Sequence, residues 1–153
     1  MVRAAKAVGN ANGPSSPQLL MFMTLQWSKN LYQWYLDTPN APTPFIVSAD
    51  DVMTRPDIVR KLCVETGMDP DALQYEWETR EVPAHLPIIQ PWVGTVFASK
   101  GILPGYDSKD FDLDKKKEEW KEEWGDEEAE FLARKVTGAM EVYEWMMERR
   151  IQA

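Results

Sequence analysis

Prolines divide this chain, and the segments between them carry helical rather than strand patterning. Asp37-Thr-Pro-Asn-Ala-Pro-Thr-Pro44 places three prolines in eight residues, and a helix cannot continue through them because each lacks an N–H and crowds the preceding turn. Between 79 and 111, prolines at 83, 87, 91 and 104 and glycines at 94, 101 and 105 dissolve the periodicity. A loop of that length inside a compact domain is uncommon and is often functional.

Five stretches read as helix. In QLLMFMTLQWSKNLYQWYL, residues 18–36, Leu20, Met23, Trp27, Leu31 and Trp34 recur at spacings of three and four, flanked by Leu19, Phe22 and Tyr35, which predicts a mostly buried helix. Thr54 reads as an N-cap, with Pro56 in the first turn and Asp57 at the positive end of the dipole. Ile58, Val59, Leu62 and Cys63 form that helix's inner face, and Gly67 supplies a left-handed stop. Asp69-Pro70 predicts a further short helix to about Glu78. Residues 112–124 and 126–150 return to helix, with Trp120, Trp124, Phe131, Leu132, Val136, Met140 and Tyr143 at helical spacing and Gly125 at the joint.

Against this, Phe45-Ile-Val47 is a short β-branched and aromatic run and reads as one buried strand. The expected class is mainly α with one or two short β-strands. Residues 1–17, rich in Gly, Ala, Asn, Ser and Pro, read as a flexible arm, and 18–153 as a single helical domain. One domain of 153 residues with 44% hydrophobic content is long enough for a core.

A net charge of −8 without a clustered basic face argues against nucleic acid or anionic membrane as partner. Ten acidic and four basic residues lie between 112 and 130, and the KKKEEWKEEW alternation there predicts a solvated face with mutual ion pairs. Cys63 is the only cysteine, expected as a buried structural thiol with no disulfide. The N-terminus lacks a signal peptide's apolar stretch and no run of about 18 apolar residues occurs, so a soluble, cytoplasmic protein is expected.

Candidate chemistry is sparse. Asp50 and Asp51 stand at the carboxyl end of the expected strand, where open α/β sheets place ligands. Neighbours on an extended chain point to opposite faces, however, so bonding to local backbone or an arginine is the competing role. His85 is the only histidine, which rules out a two-histidine metal site within one chain but leaves acid or base work open. Lys100 beside Gly101 puts a point charge next to a backbone that a ligand can approach closely. No nucleophile elbow, Cys-x-x-Cys, zinc-helix or phosphate-loop motif is present, and no cofactor or metal is expected.

Three stretches carry a resemblance: FIVSADDVMTRPDIVRKLCVETGMDPDALQYEWE, VFASKGILPG and KKEEWKEEWGDEEAEFLARKVTGAMEVYEWM. Together they resemble the C-terminal half of fungal sulfotransferase-like proteins, over about residues 18–149. The resemblance implies a helical remnant of an α/β fold of the P-loop nucleotide-hydrolase type. For sulfotransferases it implies sulfuryl transfer from phosphoadenosine phosphosulfate. The donor's 3′-phosphate would be held by an Arg-Lys-Gly stretch, to which Ser99-Lys100-Gly101 is similar with serine in place of arginine. The glycine- and lysine-containing donor loop has no counterpart here, and sulfuryl transfer by this chain alone is therefore not expected.

Two functions follow as expectations. In the first, the chain binds or transforms a small molecule of fungal secondary metabolism in an aromatic pocket drawn from Trp27, Tyr32, Trp34, Tyr35, Trp77 and Trp92, with His85, Asp50 or Asp51 as proton shuttle in a cyclisation, isomerisation or dehydration. In the second, apolar surface makes a non-catalytic homodimer or hetero-complex. A sulfotransferase whose donor loop comes from another chain is a third.

Overall fold

The computed structural model describes residues 15, 24–83, 90–105 and 107–152. His85 and, apart from Ser15, the arm expected over 1–17 lie outside the described residues. So do the first residues of the helix expected from 18 and the side chain of Trp92. Among the described residues the protein is mainly helical, and its β structure is one isolated antiparallel bridge between Glu76 and Gly101.

Among the described residues six α-helices follow one another: α1 Gln26–Asp37, α2 Ala49–Thr54, α3 Pro56–Glu65, α4 Gln90–Ala98, α5 Leu113–Trp124 and α6 Asp126–Glu148. The longest unit is the α5–α6 hairpin. Asp112 caps α5 by accepting a hydrogen bond from the Lys115 N–H. Gly125, with φ +90°, makes the turn into α6, a conformation that a side chain would strain. Lys117 reaches Glu130 across the hairpin at 2.5 Å, Lys121 reaches Asp126 at 2.7 Å, and Lys116 pairs with Glu119 at 2.6 Å. The Asp126 carboxylate beside Lys121 raises that ammonium's pKa. One pair, Lys116–Glu119, lies within the charge alternation as expected, and the other two cross between the helices.

A second unit is α2 packed on α3. The Ser48 side chain accepts from the Asp50 N–H at 3.2 Å and starts α2, so the extended run at Phe45–Val47 ends before it can become a strand. It has no ladder. Its one backbone partner is the chain's end, where the Ile151 N–H donates to the Ile46 carbonyl at 2.9 Å. Thr54 is correspondingly the last residue of α2, not the cap of α3, and its hydroxyl donates back to the Asp50 carbonyl. The Arg55 guanidinium donates to Asp57 in the first turn of α3 and lowers the pKa of that carboxyl. At the other end Gly67 takes φ +74°, the Met68 N–H donates to the Cys63 carbonyl at 2.8 Å, and the Gly67 N–H donates to Val64 at 3.1 Å. This is the paired stop expected of glycine there.

The core is thin. Ile46, Ile58, Cys63, Ala129 and Leu132 are the buried apolar residues among those described. Helix α1, expected to be mostly buried, has no buried residue, and Trp27, Leu31 and Trp34 stand 67%, 58% and 56% exposed. Its contact with α6 runs through a different face. Tyr32 meets Trp145 edge-on at 5.8 Å, and Lys29 sits 4.9 Å over the same indole, whose other neighbour is the Arg149 guanidinium at 4.2 Å.

Two further expectations change between 69 and 111. Asp69 does cap a turn, but only the 3₁₀ turn Pro70–Ala72, after which the chain is extended. The supposed loop contains α4, where Pro91 occupies the first turn and its missing N–H removes no intrahelical bond.

Candidate functional site

The extended stretch that replaces the expected helix starts from a sequence cue of its own. Gln74-Tyr-Glu-Trp-Glu78 alternates polar and aromatic residues with a period of two, the pattern of a strand with one apolar face. It runs antiparallel to the chain leaving α4. The Glu76–Gly101 bridge and the Trp77 N–H donating to the Lys100 carbonyl at 3.0 Å give the register. Farther along, the Arg80 N–H donates to Phe97 at 2.7 Å.

Directly opposed residues in an antiparallel pair project to the same side, and successive residues to opposite sides. Lys100 therefore shares a face with Trp77, and Ile102 with Tyr75. Glu76 lies on the other side, opposite Gly101. Glycine is required at that position by space, because a Cβ there would come within 2.9 Å of the Tyr75 carbonyl oxygen.

The result is a cleft of about 640 Å³ lined by Tyr75, Glu76, Trp77, Lys100, Gly101, Ile102 and Leu103. Tyr75 and Trp77 are each 38% exposed. Trp77 is also a wall of a second, more apolar cleft of about 440 Å³, completed by Val96 and Phe97 with Glu78 and Arg80. Among the described residues Lys100 has no ion-pair partner. Ser99 beside it is buried, and its hydroxyl donates to the Val96 carbonyl at 2.8 Å, finishing α4 and facing away from solvent.

The two aspartates occupy the first turn of α2, not an extended chain, and they take separate partners. Asp50 accepts from the Ser108 N–H at 3.0 Å and from the Ser108 hydroxyl, so it ties the loop that follows Leu103 to α2. Asp51 is buried and accepts from Arg150 Nε at 3.2 Å, with Arg55 3.9 Å away. Arg150 also donates to the Met147 carbonyl, and Lys61 donates to the carbonyl of Gln152. This carboxylate thus fastens the end of α6 to the start of α2.

The other aromatic candidates lie elsewhere. Trp27 and Trp34 stand on the exposed face of α1, Trp34 packs edge-on against Tyr35 at 5.0 Å, and Tyr32 faces Trp145. None of them lines either cleft at Trp77. Trp92 belongs to α4. Among the described residues no group of three or more His, Cys, Asp or Glu is placed to hold a metal ion. No helix there is long and apolar enough to cross a membrane.

Comparison with known proteins gives two matches of the same kind. The chain is 28% identical over 145 residues to Sulfotransferase ppzF of Metarhizium majus (strain ARSEF 297) and, at the same identity and length, to Sulfotransferase ppzF of Metarhizium rileyi (strain RCEF 4871). Each alignment takes in 87% of this chain but 43% of the relative, so the chain spans less than half the length of the curated relatives it matches. No family model and no solved structure matches. Distant similarity over most of the chain supports a sulfotransferase-like relationship.

Proposed function

We propose that this chain is a small-molecule-binding protein built from part of a sulfotransferase-like fold, with its ligand in the cleft where Trp77 and Lys100 stand opposed. The observation that carries this is the cross-strand pair itself. An aromatic face and a cation without an ion-pair partner among the described residues sit on the same side of the bridge, and the volume falls within the range of ordinary ligand sites. Lys100 and Gly101 take a ligand-binding role in this proposal, whereas the Ser99 hydroxyl is engaged at the end of α4. A proton shuttle from Asp50 or Asp51 does not belong to this proposal, because Ser108 and Arg150 engage those carboxylates.

Thermal unfolding with 2-naphthol, 2-naphthyl sulfate and adenosine 3′,5′-bisphosphate tests it. A ligand at one hundred times its Kd stabilises by about 2.7 kcal/mol, and the shift should vanish in Trp77→Ala. No shift with any of the three would reject the proposal.

A second role, self-association, is favoured by the exposed Trp27–Leu31–Trp34 face of α1. Light scattering after size exclusion should then report a dimer that Leu31→Lys converts to a monomer. A monomer before substitution would remove this role.

A further inference from the structure

Resting on the ligand site proposed above, we infer that the cleft selects an aromatic monoanion, an aryl sulfate or aryl carboxylate. Its anion sits on Lys100, and its ring lies across Trp77 toward Val96 and Phe97.

Charge decides the first half. On the Tyr75–Trp77 side of the bridge the cation is Lys100, and Ser99, where the resemblance implies a second cation, offers none. Glu76 lines the first cleft and Glu78 and Arg80 line the second, and the whole chain carries −8. A nucleotide bisphosphate brings several negative charges into a site whose two cations, Lys100 and Arg80, are already offset by Glu76 and Glu78, whereas a single sulfate or carboxylate is matched by one ammonium. Inorganic sulfate alone would leave the aromatic wall unused.

Shape decides the second half. Trp77 is shared by both clefts, so a ligand anchored at Lys100 that extends over the indole enters a mostly apolar space. A flat ring gains there by stacking on Trp77 and by displacing water from Val96 and Phe97. Neutral aromatics use only this half and small anions only the other.

Isothermal titration of the intact chain with four probes separates the terms. 2-Naphthyl sulfate should bind about tenfold or more tightly than 2-naphthol, inorganic sulfate or adenosine 3′,5′-bisphosphate, the factor expected for one hydrogen bond to a charged group. Lys100→Met should remove that tenfold preference and leave 2-naphthol unchanged, while Lys100→Arg retains it. Phe97→Ala should weaken both naphthalene ligands together. Equal affinity for 2-naphthol and 2-naphthyl sulfate overturns the inference but leaves a small-molecule site standing, as does an unchanged preference in Lys100→Met. Tighter binding of adenosine 3′,5′-bisphosphate also overturns it, in favour of a nucleotide site. If none of the four binds, the ligand site itself falls.

Discussion

On α1, Trp27, Leu31 and Trp34 run along one face and stand more than half exposed, whereas Tyr75 and Trp77 lie against a second chain segment that supplies Ile102 and Lys100. Both sets are aromatic and both follow a regular period, 3.6 in one and 2 in the other. The difference is what faces them. A helical stripe specifies a face and says nothing about what covers it. A bridge between two segments places side chains from each in one cleft, with a polar group among them, and that is what a ligand needs. The same contrast separates Tyr32, which meets Trp145, from its neighbour Leu31, which stays more than half exposed.

The contrast can be broken or sharpened by substitution. The largest effect should come from Arg150→Met, which leaves the buried Asp51 carboxylate with Arg55 at 3.9 Å as its remaining counter-charge. A loss of about 2 to 3 kcal/mol in chemical denaturation is expected, since removing one partner of a buried pair strands the other. Ligand binding at the cleft should survive below the unfolding transition, because Asp51, Arg55 and Arg150 line neither cleft at Trp77. Gly101→Ala should cost about 1 to 2 kcal/mol, because the new Cβ meets the Tyr75 carbonyl and the bridge must open. It should also abolish binding of 2-naphthyl sulfate. Asp50→Ala releases Ser108 and with it the loop beyond Leu103, and about 1 kcal/mol is expected for a largely solvent-facing contact to a charged group. Its clearer signature is faster amide exchange at Ser108. The smallest effect belongs to α1: Trp27→Ser with Trp34→Ser should change stability by no more than about 0.5 kcal/mol, as for exposed positions generally. A loss as large as that of Arg150→Met at concentrations where the chain is monomeric would show that the chain itself covers the α1 face and would collapse the comparison.

Much of the helical frame was legible because its signals are local. Gly125 and Gly67 make turns whose chemistry acts within a few residues, and the structure places both as expected, while Asp112 caps a helix expected over 112–124. Helix α2 was hidden because Ser48 follows an apolar run that reads as strand, and the cap competes with that run over a single residue. Helix α4 was hidden by prolines that are harmless in a first turn. The stretch from Gln74 to Glu78 carried an alternation that the Asp69-Pro70 cap obscured. Its extended state is stabilised by residues more than twenty positions away, which no local signal reports. The site divided in the same way. Lys100 and Gly101 could be named from their own chemistry, and Trp77 only as one aromatic among several. Tyr75 was not singled out, because its role depends on the register opposite Ile102.

Mapping by two-dimensional NMR on the intact chain, with 2-naphthyl sulfate added stepwise, tests most directly which aromatic set is the site. The Trp77 indole N–H and the Gly101 amide should move together and saturate, while the Trp27 and Trp34 indoles stay in place. Saturable shifts at Trp27 and Trp34 with Trp77 and Gly101 unmoved would contradict the assignment of the ligand site to the bridge.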